Sequence, residues 1–343
     1  DMLGDHQIYF GTEMVIDLKR SDYFFSYAYL TRPTDYYFSI SHTANEYFLG
    51  YDFYGFQHRG LLRNFGIMGY LSHPFSRFMR IEGGLSYHYF SFSEWQQVNY
   101  YEFEEINNDD FSVVLPITSW VYDNTIYGFT GPIDGFRQNT TLVVSPGWGS
   151  KKLDFKTLKI DLRKYFKIGR YSSLAGRLTL GTSQGKNKQK FYLGGLQNWI
   201  LGTGETDGVD DNSRFSDSTM TDGDNDLEDV FFSEFVMPVR GRRYMERVGS
   251  NVALSNFEFR FPFLLAMGVP DKFMLSNLGT HLFLDIGTAW DDGADFNNNT
   301  VAGFGWGMKI NLGYFLLRID SAWDINDTGY SKPQYYFSLG TDW

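Results

Sequence analysis

One stretch limits the folds open to this chain more than any other. Between Asn256 and Pro262, Phe257, Phe259 and Phe261 alternate with Asn256, Glu258 and Arg260. A strand sends successive side chains to opposite faces, so a period of two puts the phenylalanines on one face and the charges on the other. In a soluble sheet the apolar face is buried and the charged face is wet. Here the charged face is joined one strand later by Asp285, in Phe283-Leu284-Asp285-Ile286-Gly287, and lies near an arginine on a glycine-containing loop, Val239-Arg240-Gly241. Acids and an arginine converging on one face describe a polar interior with an apolar exterior, the inverted pattern of a transmembrane β-barrel.

Composition agrees with that reading. Aromatic residues make up 19% of the 343 residues, with 33 Phe and 24 Tyr. Mean hydropathy is nevertheless −0.32. No apolar run approaches the ~18–20 residues that a membrane helix needs. Aromatic-rich, moderately polar chains without helical periodicity suit outer-membrane barrels, whose interfaces carry aromatic girdles. Cysteine is absent, which excludes disulfides and thiolate metal sites. A net charge of −11 argues against a nucleic-acid partner. The opening Asp1-Met2-Leu3-Gly4-Asp5 has neither the basic end nor the apolar segment of a signal peptide, so it reads as the start of a mature or truncated product.

Taken in order, strands are predicted over 6–18, 23–31, 36–42, 61–72, 78–92, 111–122, 138–145, 157–165 and 171–183. After a long insertion they resume over 252–262, 280–290, 300–310, 313–323 and 334–343. Segment 44–58 is strand or loop, 93–110 reads as a polar loop, and Pro116 suggests a bulge. The expectation is one all-β domain over 1–343, an antiparallel barrel of about 16 strands. Its long extracellular loop, about 196–250, is rich in Gly, Asp, Ser and Asn.

The three blocks around Arg240, Glu258 and Asp285 resemble the C-terminal barrel of the bacterial surface antigen superfamily, which includes BamA- and TamA-type assembly factors and two-partner secretion transporters. The resemblance rests on Val239-Arg240-Gly241, on Glu258, Arg260 and Pro262, on Phe283, Asp285 and Gly287, and on Leu193-Gly194-Gly195. The chain departs from the pattern at Arg242, where the family has an aromatic residue; Tyr244 is the nearest substitute. A weaker resemblance, at Leu3-Gly4-Asp5-His6 and Phe231-Phe232, is to barrels fused to TolB-like propellers. The family resemblance implies a loop folded into the lumen with Arg240 and Gly241 anchored on Glu258 and Asp285. It implies a seam between first and last strands, where Gly11 and Gly340 weaken pairing, although ordinary strand glycine explains each equally well. It also implies a C-terminal assembly signal in Phe337, Leu339 and Trp343.

Other motifs carry less. Gly181-Thr182-Ser183-Gln184-Gly185 matches a nucleophile elbow, but no amphipathic helix follows, so a hairpin turn is expected. The acids of 222–228 suit calcium but lack the EF-hand glycine, so a solvated loop is the default. Six scattered histidines offer no ligand pair, so neither a metal nor a cofactor is expected, nor is enzymatic activity. The implied function is outer-membrane protein assembly or secretion, in the bacterial outer membrane, with lipid and other outer-membrane or periplasmic proteins as partners. The rivals are a closed barrel that anchors a periplasmic module and a passive pore.

Overall fold

The structure, a computed structural model, describes residues 5–13, 21–30, 33–51, 56–99, 102–128, 131–169, 172–196, 199–202, 234–236, 238–243, 246–263, 278–293, 299–312, 316–326, 329–330 and 332–339. These form one 17-stranded antiparallel sheet and a separate three-stranded sheet.

The large sheet begins with β1 (His6–Glu13), β2 (Asp22–Leu30), β3 (Asp35–Tyr51), β4 (Gln57–Pro74), β5 (Met79–Asn99) and β6 (Glu102–Asp123). The short β7 (Ile126–Gly128) forms a hairpin with β8 (Gly131–Pro146), which pairs back onto β6. β9 (Asp154–Lys167) and β10 (Ser173–Gly185) follow in the same meander. The long loop then intervenes, and it contains β11 (Phe191–Leu193), β12 (Trp199–Gly202), β13 (Glu234–Phe235) and β14 (Arg247–Gly249). The meander resumes with β15 (Asn251–Phe261) on β10, then β16 (Leu278–Trp290), β17 (Thr300–Asn311), β18 (Leu316–Asn326), the short β19 (Gly329–Tyr330) and β20 (Gln334–Leu339).

Burial inverts the soluble rule along this sheet. On β15, Asn256, Glu258 and Arg260 are buried while Phe257 is 53% exposed. On β16, His281, Phe283 and Asp285 are buried between exposed Leu282, Leu284 and Ile286. Phe304 and Trp306 of β17 continue the exposed apolar face. Such a face is stable only against lipid, and the alternation fixes the register, because a one-residue slip would turn every charge outward.

One segment differs from expectation and one left open resolves as strand. Residues 93–99 and 102–110, read within a polar loop, instead extend β5 and β6 to 21 and 22 residues, and 44–51 and 57–58 extend β3 and β4. At ~3.4 Å per residue β6 is about 75 Å long, whereas a membrane strand needs only about 9–11 residues. Beyond the membrane both faces are wet, so the ladder continues while the apolar alternation that reveals it lapses. Pro116 sits in the β5–β6 register without a bulge; the register shifts lie at Glu94/Trp95 and Gln97/Asn99. The β8 ladder on β6 starts only at Ile117, so the N–H that proline lacks is not needed there.

Candidate functional site

The site is built where the long loop meets the inner faces of β15 to β20. Its foundation is apolar. β11 lies between β13 and β14, and Phe191, Leu193, Val236 and Val239 of the loop pack on Val252, Leu254, Ala289 and Val301 of the wall. Each fully buried side chain of this packing contributes about 1.5–3 kcal/mol to the loop's attachment. Gly287 makes room for it: a Cβ there would lie 2.8 Å from Leu193 Cδ2. The loop's two limbs also join directly, since Gly195 N donates to Val239 O at 3.1 Å. Gly194 holds φ at +116°, and a Cβ on it would meet Arg243 O at 2.4 Å.

On this foundation Arg240 projects to the wall and is wholly buried. Its Nε and Nη2 donate to the two oxygens of Asp285 at 2.6 and 2.7 Å, and its Nη1 donates to Glu258 Oε1 at 2.7 Å. Its backbone N–H adds a further bond to Asp285 at 3.1 Å. The guanidinium also lies 3.6 Å over the Phe283 ring. A planar fork of donors suits this double engagement and an ammonium does not. Burial alone would favour loss of the Arg240 proton, but the Asp285 carboxylate outweighs it and raises the group above its ordinary value. Gly241 adopts φ +89°, and a Cβ there would come within 2.7 Å of the Trp323 backbone.

The structure brings more groups to this point than the sequence motifs name. Asn256 Nδ2 donates to Asp285 at 2.8 Å and to Pro238 O at 2.9 Å. Glu258 also accepts from Arg260 at 2.9 Å and from Lys309 at 3.1 Å, with Arg318 Nη2 at 3.5 Å. Arg318 pairs with Asp320 at 2.6 Å, and His281 Nε2 lies 2.8 Å from Asp320. Arg260 also reaches β8, three strands away through β10 and β9, where Nη1 donates to Pro132 O at 3.0 Å. The register explains the convergence: Asn256, Asp285 and Gly303 stand in one cross-strand row, and Arg260, His281, Gly307 and Asp320 in another.

The glycines of β17 form the socket for the tip. A Cβ on Gly303 would lie 1.9 Å from Arg240 O, and one on Gly307 would lie 2.0 Å from Asp320 Oδ1. This signal was present in the sequence as Gly303-Phe304-Gly305-Trp306-Gly307, which has period two.

The remaining predicted residues fall as follows. Pro262 follows the end of β15. Arg242 pairs with Asp324 at 2.7 Å and with Glu246 at 3.3 Å, so it serves the loop as a cation where an aromatic was expected. Phe337 and Leu339 lie on β20, opposite Ile319 and Leu317. Tyr244, Gly340, Trp343 and the 222–228 acids lie outside the described residues.

The expected seam between the first and last strands is not seen among the described residues. Gly11 pairs with Phe24 of β2, and among the described residues β1 ladders with β2 alone. The edge of β20 away from β18 carries β12 instead, with Trp199 opposite Ser338, Leu201 opposite Phe337 and Gly202 opposite Tyr336. The loop itself supplies the backbone partners that a first strand was expected to provide.

The loop's rim is latched by charge. Lys188 pairs with Asp292, Lys190 pairs with Asp291 at 3.2 Å, and Ser250 N donates to Asp291 at 2.8 Å. Burial pushes the Asp291 carboxyl up, but the hydrogen bonds from Ser250 and the Lys190 charge outweigh it and hold the group below its ordinary value. A depressed folded value means the latch is at full strength above the unfolded carboxylate pKa of about 4 and is lost as pH falls through the folded value. Protection of the 188–190 amides, taken relative to intrinsic exchange at each pH, should therefore fall on acidification below about pH 4 and stay constant between about pH 6 and 8. Loosening as the pH rises would contradict this assignment.

Comparison with known proteins places this geometry. The Omp85 superfamily domain matches residues 18–343. BamA from Haemophilus ducreyi lacking POTRA domains 1-3 is similar in structure, with TM-score 0.54, 12% identity, and coverage of 97% of this chain and 75% of that one. CdiB from Acinetobacter baumannii gives 0.56 and 13%, covering 94% of this chain and 51% of that one. CdiB from Escherichia coli gives 0.56 and 10%, covering 97% and 56%. The chain thus spans about half the length of the CdiB proteins it matches. No curated protein matches it by sequence. With the family domain covering nearly the whole chain, and with a sheet resembling the BamA barrel, the chain belongs to the Omp85 superfamily of outer-membrane β-barrels.

Proposed function

We propose that this barrel inserts or translocates other proteins at the bacterial outer membrane. The observation that carries the reading is the edge of β20. Its neighbour β18 pairs with it over six residue positions, whereas among the described residues its other edge holds only the four-residue β12. A long sheet whose last strand is thinly covered can accept another strand by backbone pairing. The resemblance to BamA and CdiB supports the same reading. The loop packed on the inner wall argues against a wide passive pore. A plugged barrel also suits the second reading, a closed anchor for a periplasmic module.

The test is a disulfide lock that holds β12 on the edge of β20, with cysteines at Leu201 and Phe337, which stand opposite one another. The native chain has no cysteine, so background is nil. On the assembly reading, locking leaves the barrel folded and blocks biogenesis of other outer-membrane proteins. A complete lock that leaves their biogenesis unchanged would support the anchor instead.

A further inference from the structure

The long loop grips the last strand from both of its limbs. On the first limb, Leu196 is buried in a cluster with Phe283, Ala322 and Tyr336, and three residues later β12 pairs along the edge of β20. On the second limb, Gly241 N donates to Tyr336 Oη at 3.1 Å, and Tyr336 Oη lies 3.4 Å from Arg242 O. Tyr336 is itself a β20 residue, in register with Gly202 of β12 and with Asp320 of β18. One strand is therefore held along its edge by backbone pairing and on its inner side through the Tyr336 hydroxyl, and the partner groups in both contacts come from the same loop.

We propose that β12 is a resident strand: it occupies the β20 edge in the resting barrel, and an incoming β-strand gains that edge only by displacing it. The physical argument is competition for a single row of N–H and C=O groups. An edge strand pairs with any extended backbone that reaches it, and an intramolecular strand is present at high effective concentration. The β12 ladder is short and shifts register between Trp199 and Leu201, so it covers the edge against casual pairing while remaining weaker than a full strand. The loop thus guards the strand that its own tip also holds. The inference rests on the assembly reading only for the identity of the incoming strand; the occupied edge itself does not depend on it.

The test uses the full chain in lipid vesicles with Phe337→Cys as its only cysteine. The probe is a synthetic peptide spanning residues 197–204 and carrying Leu201→Cys. Mixed-disulfide formation is compared between this chain and one that also carries Ile200→Pro and Leu201→Pro. Adjacent prolines remove whichever N–H of β12 faces β20. If the resident strand holds the edge, trapping should rise at least about tenfold in the proline chain, because the competent fraction rises. Equal trapping in both chains, or trapping in neither, overturns the proposal. A second measurement needs no proline: the in-chain pair Leu201→Cys with Phe337→Cys should form its disulfide nearly completely, and failure to form it also overturns the proposal. If the peptide is trapped as expected while the β12–β20 lock leaves protein biogenesis unaffected, the assembly reading fails and the resident strand stands.

Discussion

Arg240→Ala should open the tip of the long loop and leave the barrel assembled. The cost falls on Asp285, which loses its only cation among the described residues and keeps Asn256 as a partner, at zero exposure. Glu258 keeps Arg260, Lys309 and Arg318, so the wall's own charge network survives. Removing one partner of a buried pair costs about 3–5 kcal/mol, because the other charge is left uncompensated. That energy appears as loop opening, since the strand ladders do not run through Arg240. Proteolysis within 196–237 should become faster, while heat-modifiable migration of the barrel stays the same. Unchanged cleavage would count against the anchor. Adding Asp285→Asn to Arg240→Ala should recover part of the loss, because it removes the stranded charge. Arg240→Lys should restore little, since an ammonium cannot span both carboxylates.

Gly303→Ala should produce the same opening with every charge in place. Its added carbon would sit 1.9 Å from Arg240 O, so either the tip withdraws or β17 moves away from it. Overpacking of this kind costs about 1–3 kcal/mol, occasionally more. β17 is held on both sides by ladders to β16 and β18, so the tip is the part that yields. Gly83→Ala is the matched control: it is also a mid-strand glycine, but nothing lies within 4 Å of its added carbon, and the change should stay within about 0.5 kcal/mol. If the two substitutions alter loop cleavage equally, the glycine socket is not what admits the tip.

How much of this was legible in the sequence depends on where each residue lies relative to the membrane. Between Asn251 and Asn311 the strands are flanked by lipid on one side and lumen on the other, so Phe257, Phe259, Leu282 and Leu284 alternate cleanly with Glu258, Arg260, His281 and Asp285. The inward arginine, the acids and the all-β class could be inferred there. Residues 44–51, 57–58, 93–99 and 102–110 extend past the apolar layer, where no alternation is required, and their strands read as loop or stay ambiguous in the sequence. Arg318 and Asp320 show in the sequence only as the polar face of their strand, and neither they nor Lys309 can be assigned to the site there, because a charge facing the lumen looks like any charge on a wet face; only cross-strand register brings them to the cluster around Glu258. The pairing of β12 with β20 has no local signature at all, since Trp199–Gly202 is an ordinary short apolar run within a polar loop.

The central claim, that the loop tip is clamped inside the barrel, is tested most directly by amide hydrogen exchange at Arg240 and Gly241. Both N–H groups are committed, to Asp285 and to Tyr336 Oη. The clamp predicts that the two amides exchange in the native barrel as slowly as those of β15, and that Arg240→Ala speeds Gly241 to the rate of an open loop. Exchange of both amides at loop rates in the unaltered protein would contradict it.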